Sequence, residues 1–129
     1  MGYTDYLGLD FSENILNLAR ENTPECEYVL VNLYSSEAKD IISKHKIFTL
    51  IETLEHITDD IQIINSIPKG SIIIASVPSK MSAGHVRVFS GIADVVDRYG
   101  NIINFNFMKT ISLTPRKKFV VTIFRGVKK

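Results

Sequence analysis

Ile47-Phe-Thr-Leu-Ile-Glu-Thr-Leu-Glu-His56 is the stretch whose reading decides the fold. Residues 47–51 are mostly apolar and partly β-branched, so they read as a buried parallel strand. Glu52, Glu55 and His56 follow where that strand ends. In open α/β sheets, ligands bind outside the carboxyl ends of the strands, which puts these three side chains where a site is expected.

The same alternation continues on both sides. Upstream, Tyr6 to Asp10 reads as a short strand ending in a carboxylate, and Ser12 is the N-cap expected for a helix from Glu13 to Asn22. Ile15, Leu16, Leu18 and Ala19 form the apolar face of that helix, and Pro24 lies just beyond its end. Glu27 to Leu33 makes the next strand, and Ser35 or Ser36 caps a helix through about Lys44 with Ala38, Ile41 and Ile42 inward. Downstream, Thr58 or Asp59 opens a helix burying Ile61, Ile63, Ile64 and Ile67, which Pro68-Lys69-Gly70 stops. Ser71 to Val77 is a further strand, and a polar loop from Pro78 to Gly84 leads to His85-Val-Arg-Val-Phe-Ser90. Ser90 caps a short helix, Gly91 to Tyr99. Two last strands, Ile102 to Met108 and Phe119 to Phe124, flank a turn around Thr114-Pro115.

The order β-α-β-α-β-α-β-α-β-β predicts one α/β domain over residues 1–129. Its sheet is expected to be mostly parallel with right-handed crossovers, and to carry an antiparallel hairpin at its C-terminal edge. Asp10 fits the nucleotide-binding logic of such folds, in which a carboxylate at the end of the second strand accepts hydrogen bonds from ribose hydroxyls. The glycine-rich turn of that logic belongs about 20 residues before the acid. Only nine residues precede Asp10, so the first strand and its glycine loop are expected to be missing from this sequence.

Composition narrows the class. Of 129 residues, 45% are hydrophobic and 22% charged, ordinary values for a water-soluble globular chain. No apolar run approaches the roughly 18 residues of a membrane span, and the polar start Met-Gly-Tyr-Thr-Asp is no signal peptide, so a cytoplasmic protein without membrane contact is expected. Cys26 stands alone, which excludes an internal disulfide and a cysteine-based zinc cluster. Net charge is +1, yet all 14 acidic residues lie at or before Asp97, and Arg98 to Lys129 carries eight basic residues. A solvated hairpin whose Lys and Arg side chains protect its edges accounts for this better than a nucleic-acid surface, because no aromatic side chains interleave as a base-stacking platform would need.

Four segments in order carry a resemblance. Tyr6-x-Gly-Leu-Asp-Phe-Ser-Glu13, Glu52-x-x-Glu-His56, Ile67-Pro-x-Gly-Ser-Ile-Ile-Ile-Ala-Ser-Val-Pro78 and His85-Val-Arg-x-Phe-Ser90 together resemble class I S-adenosylmethionine-dependent methyltransferases, of the type 11/12 kind. The resemblance implies a Rossmann-like methyltransferase fold, truncated at the N-terminus, with S-adenosylmethionine as cofactor. It assigns Asp10 to the ribose, Phe11 and Leu33 to the adenine, Asn32 to the adenine amino group, and Glu52 to the methionine end. Glu52 also faces the substrate, and His85 is the candidate base for an unidentified methyl acceptor. Glu52, Glu55 and His56 resemble a motif that holds a divalent ion in some members, with Mg²⁺, Mn²⁺ and Zn²⁺ as candidates and His85 as an additional ligand. The alternative reading has Glu52 bonding backbone amides at the strand end and His56 orienting a loop. Arg87 is read either as shaping the acceptor pocket or as salt-bridged to a nearby carboxylate.

The absent glycine turn has consequences of its own. Unpaired charged groups in a partly desolvated pocket cost about 1 to 3 kcal/mol each, so this chain alone is expected to bind S-adenosylmethionine weakly or not at all. The strand 6–10 is expected to pair directly with the strand 47–51, or else with another chain: a second copy or a complementing N-terminal segment. Two further functions stand beside methyl transfer. One is a non-catalytic binding or assembly subunit, and the other is a metal-dependent RNA methyltransferase using the basic C-terminus.

Overall fold

The computed structural model describes residues 5–112, 115 and 119–129. Thr114, on which the expected hairpin turn falls, lies outside the described residues. The chain divides into two compact units, residues 1–42 and residues 43–129.

The first unit holds β1 (Leu7–Asp10), α1 (Glu13–Asn22), β2 (Glu27–Leu30) and α2 (Ser36–Ile42). β1 and β2 pair in parallel, with Asp10 opposite Leu30, and α1 is the crossover between them. Leu16 is the buried residue of α1. Ile15 and Leu18, expected on its apolar face, are exposed. Ser12 occupies the N-cap position without a side-chain cap bond, and its amide donates to Asp10 Oδ1 at 2.8 Å. At α2 the cap is Ser35, whose Oγ accepts the Ala38 amide at 3.1 Å.

The second unit holds β3 (Ile47–Ile51), α3 (Asp60–Ser66), β4 (Ile72–Pro78), α4 (Ile92–Tyr99), β5 (Ile103–Ser112) and β6 (Val120–Lys128). They form one sheet in the order β3-β4-β6-β5. β3 and β4 run parallel, while β6 lies antiparallel to both β4 and β5. The expected C-terminal hairpin is therefore the edge of this sheet. Both of its strands run several residues longer than the apolar pattern indicated, because cross-strand pairing carries the mixed stretches 109–112 and 125–128 along with it.

Strand alternation builds the core. Ile73, Ala75 and Val77 on one face of β4 are fully buried, as are Ile64 of α3, Val95 and Tyr99 of α4, and Phe124 of β6. Phe124 sits between two rings, 6.1 Å from Tyr99 and 5.4 Å from Phe105 in edge-to-face contact. Gly70, at φ +83°, turns the chain from α3 into β4 as the Pro-Lys-Gly stop required.

Gly126 of β6 is needed for a different reason. A Cβ there would collide with Ile103 Cγ2 and come within 2.7 Å of the Asn104 carbonyl oxygen. Backbone cannot yield as a side chain can. Gly126→Ala is expected to cost about 1–3 kcal/mol in chemical denaturation, with the loss visible as an earlier midpoint at unchanged slope.

Within the first unit β1 pairs with β2, and within the second β3 pairs with β4 and is an edge strand of its sheet. The apolar run predicts a buried β3, but Ile47 and Ile51 are 64% and 54% exposed, because an edge strand has a sheet neighbour on one side only.

Candidate functional site

Side chains with chemistry collect beyond the carboxyl ends of β3 and β4 in the second unit. Glu52 leaves β3 in the left-handed region at φ +49°, a conformation that costs a non-glycine residue about 1 kcal/mol or more and persists only where the surroundings enforce it. Ser76 of β4 does so. The Glu52 amide donates to Ser76 Oγ at 3.1 Å, and Ser76 Oγ donates to Glu52 Oε1 at 2.8 Å.

That turn sends the following residues inward. Glu55 is fully buried, and neither of its carboxylate oxygens has a hydrogen-bond partner among the described residues. Burial pushes its pKa up, and the negative charge of Glu52 adds to the rise; its own backbone and the two histidines, His56 and His85, oppose it. His56 Nε2 lies 3.9 Å from Glu55 Oε1, too far for a hydrogen bond. His56 Nδ1 is 3.1 Å from the Gly84 carbonyl oxygen, which can only accept. The Nδ1 atom is therefore the donor to that carbonyl.

His85 arrives from the loop after β4. Its ring meets that of His56 edge to face at 4.6 Å, and its buried Nδ1 has no hydrogen-bond partner among the described residues. One ligand atom each from Glu55, His56 and His85 lies within 4.8 Å of the other two. Of the three residues proposed from sequence to hold a metal, the structure thus brings Glu55 and His56 together and adds His85. Glu52 stands outside this group, tied to Ser76.

Two loops are held together here by more than the histidines. The Val86 amide donates to the Glu55 carbonyl at 2.8 Å. The Arg87 guanidinium donates to the carbonyls of Leu54 and Thr58, both at 2.7 Å, and to that of Ile57. It also pairs with Asp60 Oδ2 at 3.2 Å. Of the two readings for Arg87, the structure shows the salt bridge.

Asp60 was not legible as a functional position. Fully buried at the first turn of α3, it accepts two hydrogen bonds from Arg98 at 2.8 and 2.6 Å, and a third from the Tyr99 hydroxyl at 2.5 Å. Burial alone would raise the Asp60 pKa, but these hydrogen bonds and the charges of Arg87 and Arg98 outweigh it and hold the pKa below the usual range. The signal that could have found it is its place in the Asp60, Ile63, Ile64, Ile67 spacing, which puts the carboxylate on the apolar face.

The remaining predicted positions lie in the first unit. Asp10 ends β1, and Asn32 follows β2, its Oδ1 accepting the Tyr34 amide at 2.9 Å. Leu33 is half-buried, and Phe11, next to Asp10 in the chain, is 81% exposed. Among the described residues, no helix is long and apolar enough to cross a membrane.

No protein-family model matches the chain, and no curated protein matches it in sequence. Solved structures do match in fold. N-methyltransferase NodS from Bradyrhizobium japonicum WM9, solved with S-adenosyl-L-homocysteine, superposes with a TM-score of 0.67 at 12% identity, over 95% of this chain and 65% of that one. The [4+2]-cyclase SpnF gives a TM-score of 0.65 at 12% identity, with the same two shares. TehB from Haemophilus influenzae gives 0.65 at 14% identity, over 99% of this chain and 51% of that one. The chain thus spans about half to two thirds of the length of these structures. What it shares with them, the alternation of strands and helices closed by an antiparallel hairpin, is the class I methyltransferase fold.

Proposed function

We propose that this chain takes part in S-adenosylmethionine-dependent methyl transfer, with its first unit contributing the adenosine contacts. The observation that carries the reading is Asp10 at the carboxyl end of a parallel strand. Its Oδ1 is engaged by the Ser12 amide, which leaves Oδ2 to accept from a ribose hydroxyl. Phe11 offers its exposed ring to the adenine face, and Asn32 with Leu33 follows the neighbouring strand to define the adenine edge. The transfer itself is an in-line displacement from sulfonium to an acceptor oxygen, nitrogen or carbon, and its rate comes mainly from alignment. A cytoplasmic setting fits that cofactor.

Equilibrium binding of S-adenosylhomocysteine to the chain tests this. Weak binding is expected, and Asp10→Ala should reduce it by about tenfold or more, since a hydrogen bond to a charged acceptor contributes about 1.5–3 kcal/mol. Equal binding by the wild type and Asp10→Ala would remove Asp10 from the site.

A second reading, a non-catalytic assembly subunit, is favoured by one observation. β3 is an edge strand of its sheet, its run 47–51 contains neither proline nor charge, and Ile47 and Ile51 on one of its faces are exposed, features of an edge that accepts a further strand. A second copy or a complementing N-terminal segment would supply it. Sedimentation of the chain alone distinguishes the two, because a second copy changes the mass and a separate segment does not.

A further inference from the structure

We propose that the face of the β3-β4-β6-β5 sheet turned away from α4 is a docking surface for an acidic amphipathic helix that is not part of residues 1–129. Alternation along β4 divides its side chains between two faces. Ile73, Ala75 and Val77 point to the fully buried side, where Phe124 meets Tyr99 of α4. Ile72 and Ile74 point to the other. The register carries that second face across the sheet: Ile74 stands opposite Thr49 of β3 and Arg125 of β6, and Arg125 stands opposite Phe107 of β5.

This second face is apolar and open. Ile47 and Ile51 of β3, Ile72 of β4, and Phe107 and Ile111 of β5 are all exposed. Single exposed apolar side chains need no explanation, but a face shared by several adjacent strands marks an interaction surface. Sheets built on a parallel strand pair with crossover helices ordinarily have both faces covered. A cleft of about 290 Å³ opens on the face, lined by Ile74, Phe107, Ile123, Phe124 and Arg125, and it has room for an apolar side chain of a partner.

Charge decides the occupant. The four strands contain no acidic residue, and the charged side chains on this face are Lys109 and Arg125. Arg125 is held at Nε by Asn106 Oδ1 at 2.9 Å, beside the cleft. A second copy stacked on the face would bring these cations toward its own, with no carboxylate to offset them. A helix with acidic residues flanking an apolar stripe supplies both the apolar contact and the counter-charge. Length fits as well: the nine residues of β6 span about 30 Å at roughly 3.3 Å each, the length of a helix of about 20 residues. A third to a half of the chain in the NodS and TehB structures has no counterpart in this one, so the shared fold accommodates further covering segments. The surface is separate from the free edge of β3, since a strand added there would leave the face uncovered, and it does not depend on cofactor binding.

The test uses a synthetic peptide of about 20 residues, with leucines at helical spacing and glutamates on both flanks, and a second peptide with lysines in place of the glutamates. Fluorescence anisotropy with the 129-residue chain should show the acidic peptide binding at least about tenfold tighter than the basic one. Phe107→Ala should weaken the acidic peptide by about tenfold, as for an aromatic anchor in a contact. Lys109→Glu combined with Arg125→Glu should reverse the preference between the two peptides. These side chains are exposed, and circular dichroism checks folding; Lys109→Glu alone, expected to narrow the preference, replaces the pair if the pair fails to fold. No binding of the acidic peptide, equal binding of both peptides, or a preference unchanged by the charge reversal overturns the proposal. So does a dimer of the chain in sedimentation that Phe107→Ala dissociates, which would make a second copy the occupant. Binding to vesicles of phosphatidylcholine and phosphatidylserine that Phe107→Ala abolishes would likewise overturn it, in favour of a membrane.

Discussion

Asp60→Ala is expected to destabilise the unit 43–129 by about 3–5 kcal/mol, the range for removing one partner of a buried ion pair. The loss should be this large because one carboxylate serves three partners. Arg98 donates twice to it, Tyr99 donates its hydroxyl, and Arg87 pairs with it from the loop after β4. Removing it leaves the fully buried Tyr99 hydroxyl without an acceptor and the Arg87 charge, at 16% side-chain exposure, without a counter-ion. Urea denaturation measures the change. A loss below about 1 kcal/mol would place the cluster with ordinary surface pairs.

The same residue sets a pH dependence with a definite sign. The folded-state pKa of Asp60 lies below its ordinary value, so at acid pH the unfolded chain takes up this proton before the folded chain does. The stabilisation is fully present above about pH 3.9, the unfolded value, and is lost as pH falls through the lower folded value. Asp60→Asn should flatten the stability profile in that acid window. A wild-type slope that survives the substitution would assign the acid sensitivity to other carboxylates.

Phe124→Ala is the second large effect, expected at about 3–5 kcal/mol for a fully buried aromatic side chain. Phe124 is central to the aromatic row that joins α4 to β5 and β6, with Tyr99 on one side and Phe105 on the other. No neighbour can collapse into the space without leaving its own packing, since Tyr99 is held by its bond to Asp60 and by Phe89 at 5.8 Å. Phe124→Leu, which keeps most of the volume, should cost under about 1.5 kcal/mol. Equal losses for Ala and Leu would show that ring geometry rather than volume matters at this position.

Much of the architecture was legible because it is written in local periodicity. Residues 47–51 form β3 with the predicted bounds and parallel pairing, although the burial read from the apolar run is not met, since its residues are exposed or half-buried. Glu13 to Asn22 is α1 as predicted, with its polar ends and the proline beyond. Two strands in succession after α4 could only be a hairpin, and β5 with β6 is one. The end of β3 was legible as the place to look for chemistry, because carboxylates and an imidazole directly follow an apolar strand.

Which of those side chains meet was decided by tertiary structure. Spacing alone placed Glu52 with Glu55 and His56, but the left-handed turn at Glu52 directs its carboxylate to Ser76, 24 positions along the chain. That leaves room for His85, brought in by the parallel crossover from β3 to β4. Asp60 meets Arg98 and Tyr99 across 38 and 39 positions, a distance over which no pattern in the sequence reports. Periodicity assigns a residue to a face of its own strand or helix. The partner on the facing element depends on how the crossovers close and on which buried charge must be neutralised, and those are properties of the folded chain.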